Sequence, residues 1–373
     1  MTTDAAAGNA IQAVSLFSGG LDSLLASRLL TEQGLRVRCL HFYSPFFGKP
    51  FMVDHWKEVY GLDIEAIDIS EEYIAMLRAG PAHGFGKVMN PCVDCKILMM
   101  RAAKRRMMEL GAKAIISGEV LGQRPMSQRK DTLNIIQRDG DVRGILLRPL
   151  CALHLEPTIA EEEGLVDRSR LLDFWGRGRT RQLELAEKMG IAEIPSPAGG
   201  CKLAEKEKAR RYWPVLTRLA LPAAKDFSLA DIGRQGWLRT LWLSIGRNES
   251  DNEALALVRQ PGDFQVKVLD VPGPTALVRP LVSPESELFR EELRKAAAHV
   301  ASYAPKAVKL SSPVQVRLQS GACSFIETLI PCRCSDFDLP PFEEIRSPLH
   351  HYGGSGPVRD DAASSFSSGE VPA

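Results

Sequence analysis

The chain has 373 residues, with 47 lysines and arginines against 46 aspartates and glutamates, and a formal net charge of +1. A total this close to zero excludes a histone-like polycation, so any contact with nucleic acid has to rest on local patches. With 45% hydrophobic and 25% charged residues the composition is that of a folded protein, and the length predicts two or three domains with sizeable cores. No apolar run approaches the roughly 20 residues needed to cross a bilayer, and the polar first ten residues lack a signal-peptide pattern. The sequence therefore reads as cytoplasmic, with no membrane partner. Eight cysteines are too few for a disulfide scaffold in a chain this long, and in reducing cytoplasm they stay thiols.

In chain order, residues 1–12 are expected to be disordered and residues 13–16 form a short apolar strand. A glycine turn at 18–22 follows, then a helix over 21–32 with Leu24, Leu25, Leu29 and Leu30 on one side. After Gly34, residues 36–43 return as a strand, 52–60 as a helix and 64–69 as a third strand. This βαβαβ alternation predicts a parallel sheet covered by helices on both faces. A helix over 95–110 places Ile97, Met100, Ala103, Met107 and Leu110 at core spacing, and strands follow at 114–117 and 144–149, with helices at 158–163 and 180–189. From about Trp213 the pattern changes to Val-, Leu- and Trp-rich segments at 232–245 and 265–280. One long helix over 284–303 comes next, with Ser283 at its N-cap and Pro284 at its first position, then strands at 314–318 and 324–329. The expected organisation is an α/β domain over 13–215, a smaller α+β domain over 225–345, and a disordered Gly-, Ser- and Asp-rich tail over 346–373.

Ser18-Gly19-Gly20-Leu21-Asp22-Ser23 lies between the first strand and the first helix. Glycines there let consecutive backbone N–H groups point into one concavity, and the helix N-terminus adds a positive dipole. The Ser18 and Ser23 hydroxyls can donate to the same phosphate oxygens, and Asp22 can hold Mg²⁺ on them. No lysine follows the glycines, so this is not a Walker-type loop; the plain alternative is a tight turn with no ligand. The signature resembles that of the PP-loop ATP pyrophosphatases, over roughly residues 13–203. The resemblance implies an adenine nucleotide alpha hydrolase-like fold in which ATP adenylates a carbonyl-type oxygen and releases pyrophosphate. It also implies that the phosphates sit on Ser18, Gly19, Gly20, Asp22 and Ser23. The adenine would then lie near the end of the second strand, around His41–Tyr43, with Phe42 as its contact.

Three cysteines stand in Pro- and Gly-rich surroundings: Cys92 and Cys95 in Asn90-Pro91-Cys92-Val93-Asp94-Cys95, and Cys201 in Gly199-Gly200-Cys201. In a cytosolic chain such spacing points to metal binding or catalysis. The first segment resembles the Asn-Pro-Cys-x-x-Cys of tRNA thiolases. Ser117-Gly118-Glu119-Val120-Leu121-Gly122-Gln123 with Ser127-Gln128 resembles the Gly-Glu-x-x-Gly-Gln-x-x-Ser-Gln of 4-thiouridine synthetases. Leu147-Arg148-Pro149-Leu150 matches their Leu-Arg-Pro-Leu, and Cys201 falls where they carry a cysteine near the end of the catalytic domain. The resemblance implies ATP-dependent tRNA sulfur transfer, with 4-thiouridine favoured over 2-thiouridine. Asp22, Cys92, Cys95 and Cys201 are the expected catalytic residues, and Gly118 and Gln123 join the nucleotide site. Cys92, Cys95 and Cys201 can ligate three irons of a [4Fe–4S] cluster, or one can carry a persulfide that another resolves. Zinc, with His83 as a fourth ligand, is a further alternative, as are three unliganded thiols. Cys39 and Cys151 read as small core residues, and Cys332-Arg333-Cys334 lacks ligand spacing.

The expected partners are tRNA and a sulfur donor, either a cysteine desulfurase or inorganic sulfide, with a homodimer as an open oligomeric alternative. Two other functions stay open: ATP chemistry on a small-molecule acid or free base, and an RNA-binding module whose PP-loop is a relic. Helix 95–110 carries Lys96, Arg101, Lys104, Arg105 and Arg106 opposite its apolar stripe, and 177–181 and 202–211 are further basic patches. Each is either a solvated face or a phosphate contact. Ile245-Gly246-Arg247-Asn248-Glu249-Ser250-Asp251-Asn252 resembles the Val-Gly-Arg-Asn-x-x-x-Asn of NFACT RNA-binding domains. Asp270-Val271-Pro272-Gly273-Pro274 resembles their Asp-x-Pro-Gly-Ser, with proline where serine is usual. That resemblance implies a C-terminal RNA-binding domain standing in for the N-terminal one usual in 4-thiouridine synthetases. Arg247 is its candidate phosphate contact, or alternatively a residue that structures the turn.

Overall fold

The computed structural model describes residues 10–124, 127–195, 200–310 and 312–353. The chain divides after Glu205 into two compact units. In the first unit, β1 (Ala13–Leu16) is buried along its whole length and pairs in parallel with β2 (Val37–Tyr43) on one side and β4 (Ala114–Ser117) on the other. Ala13 lies opposite both Val37 and Ala114. With β3 (Asp63–Asp68) and β5 (Leu146–Leu147) the sheet runs β3-β2-β1-β4-β5, and every pair is parallel. A strand buried on both faces needs a continuous apolar run, and β1 supplies one. The chain builds outward from β1 to β3 and then returns to the far side of β1. The strand order therefore reverses between β1 and β4, where an open α/β sheet leaves a crevice at its carboxyl edge. The Ser18–Ser23 turn leaves β1 at that point.

The helices of this unit are α1 (Leu21–Thr31), α2 (Val53–Tyr60), α3 (Ser70–Ala79), α4 (Cys92–Glu109), α5 (Lys130–Asp139), α6 (Ile159–Glu162) and α7 (Thr180–Lys188). Leu21, Leu24, Leu25 and Leu30 of α1 join Phe17, Val37, Cys39 and Trp56 in one core. Helix α4 begins at Cys92 rather than at 95, because Pro91 takes the cap position and starts the helix early. Both cysteines therefore sit in its first turn.

The second unit contains α8 (Lys206–Arg218), α9 (Ala224–Asp231), β6 (Arg234–Trp237), β7 (Leu241–Ile245), α10 (Glu249–Val258), β8 (Phe264–Val268) and β9 (Thr275–Pro280). It continues with α11 (Glu287–Ala301), α12 (Pro305–Leu310), β10 (Val314–Ser320), β11 (Cys323–Leu329) and α13 (Phe342–His350). The six strands form one antiparallel sheet in the order β11-β10-β8-β9-β7-β6. Helix α11 lies against this sheet through Phe289, Leu293 and the fully buried Ala296, Ala297 and Ala301. Arg279 of β9 is buried between Asp226 and Asp263, with its Nε 2.9 Å from Asp263 Oδ1.

Three sequence expectations are corrected here. The first domain was expected to run to 215, but α8 packs on α9 and α13, and Tyr212 donates a 2.6 Å hydrogen bond to Asp231, so 206–218 belongs to the second unit. The long helix starts at Glu287 with Ser286 in the cap position, because Ser283 is used in a preceding turn that accepts the Ser286 N–H. Residues 346–350, expected in a disordered tail, belong to α13, which buries Phe342, Ile345 and Leu349. The rest of that tail from 354, and residues 1–9, lie outside the described residues. Among the described residues no helix is long and apolar enough to cross a membrane.

Candidate active site

The turn after β1 is closed from above by α2. Gly19 has φ +76°, and a Cβ there would lie 2.4 Å from Cζ2 of Trp56, so only glycine fits. Trp56 is held edge-on by Phe17 (5.5 Å between centroids) and His41 (4.9 Å). Nε2 of His41 accepts the Lys49 N–H at 2.8 Å, so Nδ1 carries the proton and donates to Phe17 O at 2.9 Å. Burial lowers the His41 pKa, and the ring braces the turn as a neutral group. Ser23 Oγ donates to Gly20 O at 2.8 Å and accepts the Ser18 N–H at 3.2 Å.

Asp22 is the polar centre of this end. Its Oδ2 accepts from Gln123 at 3.1 Å, while Oδ1 is buried without a hydrogen bond among the described residues. Burial raises its pKa, opposed by Gln123 and by the nearby Arg179 and Arg124. Gly118 lets β4 close on this helix start, since a Cβ there would lie 2.5 Å from Asp22 O. Arg179 Nε is likewise buried without a partner. An orphaned carboxylate oxygen beside two guanidiniums, at a helix start only glycine can line, fits a divalent cation and the phosphates it neutralises.

A cavity of about 280 Å³ opens at the turn. Its lining includes Ser18 and Gly19, Lys49 and Tyr60, and Gly200 and Lys202, the neighbours of Cys201. Two backbone hydrogen bonds hold the segment of Gly200 and Lys202 in place. Lys202 N–H donates to Phe46 O at 2.9 Å, and Met89 N–H donates to Leu203 O at 3.0 Å. The segment of Cys201 is thereby stitched both to the loop after β2 and to the loop that leads into Cys92 and Cys95.

The three cysteines meet around Tyr73 of α3. Burial first, then the proximity of Cys95, Cys201 and Cys92, holds the Tyr73 hydroxyl well above its usual pKa. That hydroxyl is buried beside the Cys95 thiol, which acts as its hydrogen-bonding neighbour. Phe46 and Phe47 pack on its ring at 5.5 and 5.1 Å. Burial pushes Cys95 up to about 11 and Cys201 up to about 12, and Asn90 Nδ2 lies 3.1 Å from Cys92 Sγ. Partly buried thiols gathered around a tyrosine hydroxyl are soft donors that suit a thiolate-binding metal group. Among the described residues no three His, Cys, Asp or Glu side chains are drawn together tightly enough for a single ion. His83, the fourth ligand of the zinc alternative, pairs through Nε2 with Asp139 at 3.1 Å, which leaves Nδ1 as its other donor atom.

Sequence reasoning missed a buried charge network beside this site. Glu119 Oε2 pairs with Arg148 Nε at 3.0 Å, and Glu119 Oε1 faces Lys96 Nζ at 3.6 Å. Arg148 is 1% exposed, and both its terminal nitrogens lack a hydrogen bond among the described residues. Burial opposes ionisation of Glu119, but Lys96 and Arg148 outweigh it and lower its pKa. Tyr73, Arg179 and Arg124 were also not assigned to the site; Tyr73 reads as a core aromatic, and Arg179 belongs to a run that suggests a surface patch.

Other expected residues sit elsewhere. Phe42, the expected adenine contact, is buried and is not among the residues that line the cavity. Cys39 and Cys151 are core residues, with their thiols on Ser27 Oγ (3.5 Å) and Glu119 O (3.3 Å). The basic face of α4 is neutralised within its own unit. Lys96 faces Glu119, Arg101 donates to Asp139 O, Lys104 pairs with Asp141, Arg105 with Glu72, and Arg106 with Glu65 and Glu109. In the second unit Arg247 pairs with Asp251 at 2.8 Å, and Asn248 caps α10 by accepting from Asp251 N–H at 2.9 Å. Arg247 therefore structures a turn.

Residues 82–164 match the family described as "Thiamine biosynthesis protein (ThiI)". A probable tRNA sulfurtransferase of Thermococcus kodakarensis is 31% identical over 168 residues, covering 42% of each chain. A tRNA sulfurtransferase of Shewanella amazonensis is 27% identical over 276 residues, covering 72% of this chain and 53% of its own. The chain thus spans about half the length of the curated relatives it matches. Among solved structures, a U34-tRNA thiolase, NcsA, from Methanococcus maripaludis with its [4Fe-4S] cluster aligns over 52% of this chain and 63% of its own. The identity there is 15% and the TM-score 0.28, too low to bear on the assignment.

Two substitutions test this geometry. Gly19→Ala forces a positive φ and a clash with Trp56, and should destabilise the first unit by about 1–3 kcal/mol and abolish ATP binding. Gly20→Ala, at φ −104°, should cost less in a thermal melt. Tyr73→Phe keeps the ring on Phe46 and Phe47 and removes only the hydroxyl beside Cys95. Metal-free protein should lose about 0.5–1.5 kcal/mol, the worth of one hydrogen bond, and an unchanged or higher melting temperature would mean the hydroxyl has no partner there.

Proposed function

We infer that this chain, whose first unit is a PP-loop domain related to the tRNA sulfurtransferases, is an ATP-dependent tRNA uridine thiolase. The observation that supports the reading is a cavity whose lining includes both Ser18 and Gly19 and the neighbours of Cys201. In the proposed site a phosphate cradle and a sulfur site would serve one bound substrate.

A uridine carbonyl carbon is a poor electrophile until its oxygen becomes a leaving group. In the proposed reaction that oxygen attacks the α-phosphorus of ATP, and pyrophosphate leaves with the bonding electrons. The Ser18–Ser23 turn holds the pyrophosphate, Asp22 holds Mg²⁺ through its open oxygen, and Arg179 and Arg124 offset the charge that gathers there. Hydrosulfide then adds at the activated carbon, AMP departs with the original oxygen, and one proton is released. Cys92, Cys95 and Cys201 would hold a [4Fe–4S] cluster, which when bound supplies a Lewis-acidic site for sulfur. Tyr73 can donate a hydrogen bond to an anionic sulfur among the three thiols. The Lys96–Glu119–Arg148 network fixes the start of α4 and hence the orientation of Cys95. The product favoured is 4-thiouridine, because the Glu119 and Arg148 segments that build this network are those that resemble the 4-thiouridine branch.

Unmodified tRNA, ATP, Mg²⁺ and sulfide, incubated anaerobically with the reconstituted protein, should yield 4-thiouridine by mass spectrometry of the nucleosides. Asp22→Ala should lower the rate by about 100-fold or more, the scale of losing a charge stabiliser in the transition state. 2-Thiouridine as the product would move the assignment to the other branch. ATP turnover on a small acid or free base, with no dependence on tRNA, would overturn it.

A further inference from the structure

We propose that the cavity around Tyr303 in the second unit is a site for the phosphate backbone of RNA. The cavity has a volume of about 270 Å³ and is walled by the start of α8, by β6, by the end of α11 and by residues 333–339. Its distinguishing feature is one aromatic ring with two guanidiniums on it. The Arg234 guanidinium carbon lies 4.6 Å from the Tyr303 ring centroid and that of Arg333 lies 4.3 Å from it. Among the described residues neither arginine forms a salt bridge or a hydrogen bond.

The five cations of α4 and Arg247 are committed to partners. Within this cavity Arg210 and Arg211 are committed too. Arg210 pairs with Glu207 at 2.8 Å and donates to Pro340 O and Leu339 O; Arg211 donates to Ala230 O and Gly233 O. They shape the wall, and Arg234 and Arg333 are left with their N–H groups unspent. A guanidinium lying on an aromatic ring is held by its face and keeps its edge free to fork onto a phosphate.

The arrangement is built in advance. The chain on both sides of Arg333 is pinned to α11, through Cys332 N–H to Ala298 O at 3.1 Å and Cys334 N–H to His299 Nδ1 at 3.0 Å. His299 in turn packs edge-on against Tyr303 at 5.3 Å. Burial, helped by Arg333, lowers the His299 pKa to about 4, so it braces the site as a neutral ring. Four arginines against Glu207 and Asp338 leave the lining basic, although the whole chain is almost neutral. Both Arg234 and Arg333 are exposed, and two forks on one ring suit neighbouring phosphates of a strand that passes across the opening. A bound RNA of this kind is the substrate of the proposed function, and the inference rests on that reading.

The test is equilibrium binding of unmodified tRNA to the full-length protein, measured by anisotropy from roughly 50 to 200 mM salt. Arg234→Gln/Arg333→Gln should weaken binding about 10- to 100-fold at the low-salt end. It should also flatten the log–log salt slope by about 1.5, the release expected for two phosphates. Arg333→Gln alone should give about half that change in slope. ATP binding to the first unit should be unchanged in both. If native protein binds tRNA and the double variant binds it equally, with the same slope, this inference fails and the proposed function stands. If native protein binds no tRNA, both fail. Inorganic phosphate binding to the native protein at micromolar concentration, lost in the double variant while tRNA binding is kept, would make this a small-anion site and overturn the RNA assignment.

Discussion

The candidate active site depends on two backbone hydrogen bonds at the segment that carries Cys201. Lys202 N–H reaches Phe46 O and Met89 N–H reaches Leu203 O. Cys201 lies 106 positions beyond Cys95 in the chain, and nothing local brings the two together. The sheet places the loop after β2 and the start of α4 near the carboxyl edge of β1, and these two hydrogen bonds then fasten the distant segment across both. Phe46, which supplies one of the acceptors, also packs on Tyr73, so the same residue sets the position of the segment and of the hydroxyl the thiols surround. With that segment displaced, the cavity would lose Gly200 and Lys202 from its lining.

Charge is arranged by the same logic of local commitment. Helix α4 looks like a basic RNA-facing surface when drawn as a helical wheel, yet each of its five cations has an acidic or carbonyl partner in the first unit. Exposed pairs of this kind add little stability, commonly under about 1 kcal/mol each. Their effect is to remove charge that would otherwise be available to phosphate. Arg234 and Arg333 on Tyr303 carry no such ion pair among the described residues, and Arg179 and Arg124 lie beside Asp22. A neutral chain can thus contact an anionic polymer through a few side chains that the fold declines to pair.

Much of this was legible in the sequence because it is written in short-range patterns. The apolar 13–16 run, the leucines of α1 and the glycine turn between them define a βα unit without tertiary information. Gly19 is legible for a stronger reason: its left-handed φ and the approach of Trp56 admit no other residue. Helices α3 and α5 were not anticipated. Each is ten residues long, and α5 buries only Thr132, Leu133 and Ile136, too few positions to mark a period. The partners of charged groups were not legible either, since Glu119 meets Arg148 across 29 residues and Arg106 meets Glu65 across 41. Tyr73 carries no motif at all, and its place among three cysteines exists only once the sheet has formed.

In the proposed function Cys92, Cys95 and Cys201 form one metal-binding site rather than three separate thiols. Iron and sulfide analysis of protein purified without oxygen, native against Cys201→Ala, separates the two cases. Native protein should be brown, with about four irons and four sulfides per chain, and the variant should lose most of both. A native protein free of iron, or a variant that retains its full iron and sulfide, would contradict it.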